Sequence, residues 1–210
     1  MSNLEDLDRI ARWLETEWSQ DQRTWFLRYQ SWLVDEAIPA GGLGPREASR
    51  IFDRHIADSL AFVKLIHGDA RTLVDVGSGV GLPGIPIAIA CPDLLVSVVD
   101  RAERRTRLAS RAVRILGLEN VKVSLTDIRD VRGEFDVVAF RSSLAISKAT
   151  RAFQQLATAQ GEGIFAWSRR NQPIDVPDTE PGTILTIVSE GAGVLDSPAW
   201  FLRMQRNRAT

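Results

Sequence analysis

One turn constrains this sequence more than any other feature, because a short apolar segment runs directly into closely spaced glycines. Residues 72–76 (TLVDV) have the apolar, β-branched character of a buried parallel strand, and residues 77–81 (GSGVG) follow at once. Glycine permits positive φ angles and lets the backbone approach a ligand closely. In open α/β sheets, ligands bind beyond the carboxyl ends of the strands. The segment therefore predicts a ligand-binding turn between a strand and a helix.

Strand-like and helical segments alternate after residue 71. The predicted strands are 72–76, 95–99, 121–125, 135–140 and 163–168, and the predicted helices are 83–90, 101–116 and 145–159. This alternation predicts an α/β fold with a mostly parallel, doubly wound sheet. Two further candidate strands, 183–189 and 199–205, have no convincing helix between them and could form an antiparallel hairpin at the sheet edge. That ending is typical of Rossmann-like class I methyltransferases.

The glycines fit two kinds of cofactor. Residues 79–84 match the Gly-x-Gly-x-x-Gly dinucleotide fingerprint, which leaves an NAD-dependent oxidoreductase as one alternative. Three features favour S-adenosyl-L-methionine instead. Asp75 lies just before the first glycine, Pro83 falls where a pyrophosphate turn would be, and a helical extension precedes the first strand. A tight turn without any ligand is the remaining alternative.

The spacing of apolar residues divides the chain into two parts. Apolar residues recur at helical spacing in 4–18 and 22–36, and a third helix is predicted from about residue 45 to 66, after a loop rich in Pro and Gly. We therefore expect an N-terminal helical extension over residues 1–68. Residues 69–210 are expected to form the S-adenosyl-L-methionine-binding methyltransferase domain.

Two aspartates extend the predicted cofactor site. Asp100 follows the strand 95–99, where a carboxylate can accept hydrogen bonds from both ribose hydroxyls, although it could also cap the next helix. Asp127 lies in a loop that by topology covers the adenine, and a capping or turn role is the alternative there. The complete set of expected cofactor contacts is Asp75, Gly77, Ser78, Gly79, Gly81, Leu82, Asp100, Arg101, Thr126, Asp127, Ile128 and Arg141.

Arginines supply the candidate substrate contacts. Arg141 follows the strand 135–140 and is predicted to point into the active-site crevice, where it could hold a phosphate or the target base. Arg169 and Arg170 could act similarly after the next strand, and a plain surface role is open for all three. One face of the helix 101–116 could contact an RNA backbone or could simply be solvated. Its members are Arg104, Arg107, Arg111 and Arg114.

Composition narrows the class of protein. The net charge of −1 gives no global basic field, so contacts to RNA would need local patches. The only cysteine is Cys91, which excludes an intrachain disulfide and fits a reducing cytosol. We find neither a signal-peptide pattern nor an apolar stretch long enough to span a bilayer. The expected protein is therefore cytoplasmic, with no membrane contact and no metal, and monomeric.

The chemistry of methylation narrows the reaction. Attack through carbon 5 of a pyrimidine needs a cysteine nucleophile, and Cys91 precedes the second strand, at the end of the sheet opposite the site. The Asn/Asp-Pro-Pro-Tyr signature of exocyclic-amine methylation is absent from the sequence. A ring nitrogen such as guanine N7 has a lone pair and needs only alignment with the methyl group. The lack of a conspicuous general base is compatible with that reaction.

Two segments resemble one known family. Residues 75–86 (DVGSGVGLPGIP) closely resemble the signature of the glucose-inhibited division protein B family, which are bacterial guanine-N7 methyltransferases of small-subunit ribosomal RNA. Residues 54–60 (RHIADSL) resemble that family's upstream segment. The resemblance covers roughly residues 45–145 well and the remainder loosely. It implies S-adenosyl-L-methionine as the cofactor and ribosomal RNA, or the assembled small ribosomal subunit, as the substrate.

The resemblance also implies roles for individual residues. The three glycines at 77, 79 and 81 would surround the methionine portion of the cofactor, and Asp100 would bind its ribose. Arg141 matches a family arginine that serves RNA or substrate binding. His55 and Asp58 would lie near the mouth of the site, as further candidate catalytic residues. Their spacing alone equally allows His55 to be a helix-packing residue and Asp58 to pair with Arg54.

The sequence departs from the family pattern on the substrate side. An Asn-Leu-Thr segment of the family is replaced within residues 37–44 (AIPAGGLG), a lysine-glycine pair gives way to Ser168-Arg169-Arg170, and Phe140 stands where a serine precedes the arginine. A divergent orthologue is one explanation. Three alternatives are a paralogue that methylates another RNA, a methyltransferase for a small molecule or a protein, and a non-enzymatic module that binds the cofactor. The target nucleotide is not predicted.

Overall fold

The computed structural model describes residues 3–141, 144–169 and 182–206. The strands are β1 (Thr72–Val76), β2 (Leu95–Asp100), β3 (Val121–Leu125), β4 (Phe135–Arg141), β5 (Ala157–Arg169), β6 (Thr183–Glu190) and β7 (Ala199–Arg206). Within the described residues they form one seven-stranded sheet in the order β3-β2-β1-β4-β5-β7-β6. Strands β1 to β5 run parallel, and β7 pairs antiparallel with β5 and β6. This confirms the predicted sheet and its antiparallel C-terminal edge.

The sequence of β1 explains its central position. Leu73, Val74 and Val76 are buried, as expected for a strand with both faces covered. The chain order reverses at this strand, because β2 lies on one side of β1 and β4 on the other. The carboxyl ends of these three strands therefore open a crevice at the topological switch point, which is where open α/β sheets bind ligands.

Helices cover the sheet and begin and end at recognisable signals. They are α1 (Asn3–Trp13), α2 (Gln20–Trp32), α3 (Ala57–Leu60), α4 (Gly84–Ala90), α5 (Glu103–Leu116) and α6 (Ile146–Leu156). Ser19 and Gln22 form a capping box at the start of α2, and Gly117 ends α5 in the left-handed conformation. Over the described residues, no helix is both long and apolar enough to cross a membrane.

The prediction of a single helix over residues 45–66 is wrong. The chain instead forms a 3-10 turn at Pro45–Arg50, a π-helix at Ile51–Ile56, the short α3 and a second 3-10 turn at Val63–Leu65. The carbonyl oxygens of Arg54 and His55 accept hydrogen bonds from the side chain of Arg141. That tertiary contact comes from a strand 86 residues further along the chain, so local apolar spacing could not predict it.

The N-terminal helices share one apolar core with α4 and α5. Hydrogen bonds reinforce the packing, because Gln22 Nε2 donates to the carbonyl of Ile89 at 2.9 Å and Tyr29 Oη donates to that of Val80 at 3.0 Å. Tyr29 is fully buried, and its ring stacks on Trp32 with centroids 6.0 Å apart. The helical extension is therefore packed against the turn that follows β1, while the domain boundary at residue 68 stays a prediction.

Replacing Tyr29 by phenylalanine tests this connection. The variant keeps the ring and leaves the buried Val80 carbonyl without its donor, so we expect a loss of about 1–3 kcal/mol in the free energy of unfolding. Chemical denaturation measures the loss, and the exposed neighbour Arg28, changed to alanine, is the matched control with an effect near zero. Equal stability of Tyr29→Phe and the wild type would contradict the connection.

Candidate cofactor and substrate site

The glycines in the turn after β1 have different structural roles. Gly77, Gly79 and Gly81 have φ angles of 73°, 63° and 99°, which side chains rarely adopt. A Cβ atom at Gly81 would lie 2.3 Å from Ile85 Cδ1, so this glycine is required by packing. A Cβ atom at Gly79 would meet nothing within 4 Å. Gly79 therefore has open space beside its Cα atom.

Asp75 stabilises the turn by hydrogen bonds from its buried side. Its carboxylate is fully buried and accepts hydrogen bonds from the hydroxyl of Ser78 and, at 2.7 Å, from the backbone N–H of Gly84. Desolvation by burial raises the pKa of Asp75 to about 6, although these hydrogen bonds oppose the shift. Oδ1 has no hydrogen-bond partner among the described residues. Asp75 and Ser78 therefore shape the turn and do not line the open cleft beside it.

Asp100 ties the end of β2 to the same turn. One carboxylate oxygen accepts from the backbone N–H of Gly79 at 2.9 Å and the other from that of Ala102 at 2.8 Å. Each oxygen retains a second lone pair for further hydrogen bonds. Asp100 is 6% exposed and lines the cleft, so it combines the turn-stabilising role with a position suited to ribose.

A cleft of about 740 Å³ lies at the carboxyl ends of β1 and β2. This volume is in the usual range for a small-molecule site. Of the predicted cofactor contacts, the cleft is lined by Gly77, Asp100, Arg101, Thr126, Asp127 and Ile128. The other predicted contacts lie outside its lining, namely Asp75, Ser78, Gly79, Gly81, Leu82 and Arg141. The opposite wall comes from α6 and residues 144–145, which sequence reasoning did not identify.

Asp127 caps the short 3-10 turn Ile128–Asp130. Its carboxylate accepts hydrogen bonds from the side chain and the backbone N–H of Arg129, at 2.9 and 3.1 Å. These bonds lower the pKa of Asp127 to about 2, so it is a carboxylate at neutral pH. The alternative capping role is the one that these contacts support, and Thr126 and Ile128 remain as the other cleft-lining residues of the loop.

Arg141 does not point into the cleft, contrary to the prediction from its place at the end of β4. Its guanidinium donates to His55 Nδ1 at 2.8 Å, to Ser59 Oγ at 3.2 Å and to the backbone carbonyl oxygens of Arg54 and His55. Burial lowers the pKa of Arg141, and the nearby carboxylate of Asp75 opposes that shift. The strand fixes where Arg141 starts, but the π-helical segment provides the acceptors that set its direction.

His55 lies between Arg141 and Glu47. Its Nε2 atom is 2.9 Å from Glu47 Oε2, and burial together with Arg141 lowers the pKa of the ring. Sequence reasoning missed Glu47, because eight residues of regular α-helix would separate it from His55 by roughly 12 Å. Asp58, the other candidate near the site mouth, is half-buried in α3 and does not line the cleft, so its role stays a prediction.

Basic side chains lie both on α5 and around the cleft, and several of them pair with carboxylates. On α5, Arg107 pairs with Glu103, and Arg111 pairs with Glu36 of the N-terminal region. The cleft itself is bordered by exposed basic side chains, which we call the cationic rim: Arg101, Arg105, Arg129, Lys148 and Arg151. Of the two arginines predicted after β5, the side chain of Arg169 and all of Arg170 lie outside the described residues.

The environment of Cys91 does not activate its thiol as a nucleophile. It follows α4 and precedes β2, and burial raises the pKa of its thiol to about 11. The thiol is therefore protonated at neutral pH, in agreement with the exclusion of carbon-5 chemistry. Over the described parts of the chain, no cluster of three or more His, Cys, Asp or Glu side chains could hold a metal ion.

The dependence of the turn on Asp75 can be tested with two substitutions. Asp75→Ala leaves the Gly84 N–H and the Ser78 hydroxyl without their acceptor, so we expect a loss of about 2–4 kcal/mol in the free energy of unfolding. Asp75→Asn keeps an acceptor oxygen and is expected to lose less. Chemical denaturation of both variants measures this order, and a milder effect for alanine would contradict it.

The raised pKa of Asp75 adds a pH signature to the same experiment. Between the unfolded value near 3.8 and the folded value near 6, the folded protein binds more protons, so this group stabilises the fold as pH falls. Asp75→Asn lacks the titrating group. Its stability relative to the wild type is therefore expected to be higher at pH 7 than at pH 5, and no pH dependence of that difference would refute the assignment.

Known proteins share both the sequence and the fold. The sequence matches the GidB family, described as rRNA small subunit methyltransferase G, over residues 22–172. It is 35% identical over 188 residues to Ribosomal RNA small subunit methyltransferase G of Mycolicibacterium paratuberculosis, with 85% of this chain and 75% of that protein covered. The protein of the same name from Renibacterium salmoninarum is 33% identical over 189 residues, which cover 84% and 86% of the two chains.

Solved structures with low identity share the fold. A candidate S-adenosylmethionine-dependent methyltransferase from Methanococcus maripaludis superposes with a TM-score of 0.58 at 13% identity, covering 81% of this chain and 94% of that one. A ribosomal protein L11 methylase from Lactobacillus delbrueckii gives 0.53 at 16% identity, with 74% and 79% covered. These likenesses identify the class I methyltransferase fold. The sequence matches show that this chain belongs to the GidB family, rRNA small subunit methyltransferase G.

Proposed function

We propose that this protein transfers a methyl group from S-adenosyl-L-methionine to guanine N7 in small-subunit ribosomal RNA. The observation that carries the proposal is the cleft between the glycine turn and Asp100, in a chain that belongs to this family. The relatives are named as ribosomal RNA small subunit methyltransferases. The fold places this cleft at the switch point of the sheet, where a cofactor of that size would bind.

The residues of the cleft fit the parts of the cofactor. The remaining lone pairs of Asp100 suit the two ribose hydroxyls, and Gly77 allows close approach to the backbone of the turn. Thr126 and Ile128 offer a polar contact and an apolar wall for adenine. When bound, the cofactor supplies an electrophilic methyl group on a sulfonium sulfur. The protein contributes orientation, because the turn is fixed before the ligand arrives.

The cationic rim favours RNA as the substrate. S-adenosyl-L-methionine carries a net positive charge, so a border of arginine and lysine side chains gives it no attraction. The same border complements the phosphates of an RNA strand. Because the protein as a whole has a net charge of −1, this local concentration of positive charge is the kind of patch that RNA binding requires.

A ring nitrogen is the target that these side chains suit best. Guanine N7 has a lone pair, so alignment of the base with the methyl group is sufficient and no proton is removed. Both ring nitrogens of His55 already have partners within the protein. The pKa of the Cys91 thiol is about 11. Neither side chain is prepared to act as a general base or a nucleophile, in keeping with attack by an unprotonated ring nitrogen.

Methyl transfer from labelled S-adenosyl-L-methionine tests the proposal directly. We expect label in isolated small ribosomal subunits or in naked small-subunit RNA, and we expect Asp100→Ala to weaken cofactor binding by about tenfold or more. Glu103→Ala, which alters an exposed carboxylate just beyond the cleft, is the matched control with unchanged binding. Circular dichroism checks that Asp100→Ala is folded, since that variant also loses the bond to Gly79.

The outcomes separate the alternatives. Label in the RNA at a product that comigrates with 7-methylguanosine supports the proposal. Cofactor binding without label in either substrate would overturn the ribosomal assignment. Transfer to a small molecule under those conditions would identify a paralogue. Tight binding of nicotinamide dinucleotide in place of S-adenosyl-L-methionine would overturn the cofactor as well.

The role of the cationic rim is tested by removing one lysine. Lys148→Ala is expected to weaken RNA binding and to reduce the slope of log K against log salt by about 1, because one phosphate contact is lost. The affinity for S-adenosyl-L-methionine is expected to stay unchanged. Lys122→Ala on β3 removes an exposed lysine remote from the cleft and is the matched control. Identical salt slopes for the two variants would exclude Lys148 as a phosphate contact.

A further inference from the structure

Three charged or titratable side chains form a line of hydrogen bonds beside the cofactor site. Glu47 comes from the first 3-10 turn, His55 from the π-helix and Arg141 from the end of β4. Glu47 Oε2 lies 2.9 Å from His55 Nε2, and Arg141 Nη2 lies 2.8 Å from His55 Nδ1. None of the three lines the cleft, so cofactor and RNA contacts leave this arrangement unexplained.

The chemistry of the partners fixes the state of the imidazole. A guanidinium can only donate hydrogen bonds, so Nδ1 of His55 must be the acceptor and carry no proton. The proton of the neutral ring then lies on Nε2, where it is donated to Glu47. A second proton on Nδ1 would face an N–H group of Arg141 instead of a lone pair. The line is therefore complete only when His55 is neutral.

The charges around the ring act in opposite directions. Burial and the positive charge of Arg141 lower the pKa of His55, the hydrogen bond and charge of Glu47 raise it, and Arg50 lowers it further. The net shift is downward, so the neutral form extends below the ordinary value of about 6.5. Stability from this group is present above that pH and is lost as pH falls through the folded pKa.

Arg141 connects this line to the cofactor turn. Its guanidinium holds the segment 54–59 through backbone carbonyls and Ser59 Oγ. Its charge also acts on the buried carboxylate of Asp75 and on Tyr29. Asp75 and Tyr29 in turn hold the glycine turn, through Gly84 and Val80. The orientation of Arg141 is thus shared between the segment and the turn that shapes the cleft.

We propose that Glu47 and His55 are positioning residues that hold Arg141, and with it the segment 51–59, in the arrangement needed for methyl transfer. Protonation of His55 removes one of the four acceptors of Arg141 and places two positive charges side by side, which weakens the hold of Arg141 on the segment. The effect on turnover rests on the proposed methyltransferase function. The state of the His55 ring and the order of the segment do not depend on it.

The tautomer is measured without any activity. The chain contains two histidines, so ¹⁵N-labelled ring signals can be assigned with a single His67→Gln variant. At pH 7 we expect the neutral ring of His55 with its proton on Nε2, in the wild type and in Glu47→Gln. Glu47→Ala removes the acceptor for that proton but leaves the guanidinium donor at Nδ1, so we expect the same tautomer with a shifted Nε2 signal. A charged His55 at pH 7, or a ring protonated on Nδ1, would overturn the proposal.

Turnover separates a positioning role from a merely structural one. His55→Asn keeps an acceptor oxygen near the Nδ1 position and cannot be protonated. When the pH is lowered from 7.5 to 5.5, we expect the methyl-transfer rate of the wild type to fall at least about threefold more than that of His55→Asn. Glu47→Ala is expected to reduce kcat at pH 7.5 with an unchanged KM for the cofactor, and Glu47→Gln is expected to restore it. Asp53→Asn, on an exposed carboxylate of the same π-helix, is the control with wild-type behaviour.

The two lines of evidence can fail separately. Asp75 has a pKa of about 6, so its titration also changes the rate in this pH range. The pH profile of His55→Asn is therefore compared with that of the wild type and is not expected to be flat. Equal pH profiles for those two proteins, with active enzyme, would refute the positioning role and leave the proposed function intact. The expected ring state with no methyl transfer to any RNA would refute the proposed function and leave the hydrogen-bonded line intact.

Discussion

The buried carboxylate of Asp75 accepts hydrogen bonds from Ser78 and Gly84, and the glycine turn between those residues depends on it. Two further contacts approach the turn from other elements. Asp100 accepts the N–H of Gly79 from the β2 side, and Tyr29 donates to the carbonyl of Val80 from the N-terminal helices. A backbone with φ angles that only glycine adopts readily is thus held on several sides before any ligand binds. These contacts fix the shape of the turn before any ligand binds.

The same requirement explains the N-terminal region. Helices that merely covered apolar surface would not need a fully buried tyrosine whose hydroxyl reaches the cofactor turn. The irregular segment from Pro45 to Leu65 contributes in another way, because the carbonyl oxygens of Arg54 and His55 accept hydrogen bonds from the guanidinium of Arg141. A regular helix would direct those carbonyls along its own axis. The break in helical geometry is therefore the means by which a buried arginine finds acceptors.

Charge is divided between the inside and the edge of the site. Inside, Asp75, His55 and Arg141 are desolvated, and the pKa of each is displaced toward the neutral form by burial. At the edge, the cationic rim is exposed to water, and its Arg129 pairs with Asp127. The buried groups fix the geometry of the site, and their titration makes its stability depend on pH. The cationic rim attracts a polyanion, and the strength of that attraction depends on the salt concentration. The overall charge of −1 conceals both.

The sequence by itself determined the sheet, its antiparallel edge and the position of the cofactor turn, because those depend on local signals. Apolar runs of strand length, glycines directly after Val76 and an aspartate at the end of β2 can all be recognised without tertiary contacts. Only the tertiary structure decided the direction of Arg141, the partnership of Glu47 with His55 and the grouping of the cationic rim. The first two needed a π-helical turn stabilised by a strand far along the chain, and the last joined side chains from three separate stretches of the chain. Long-range hydrogen bonds and converging surfaces have no periodicity in one dimension, so the sequence pattern alone could not reveal them.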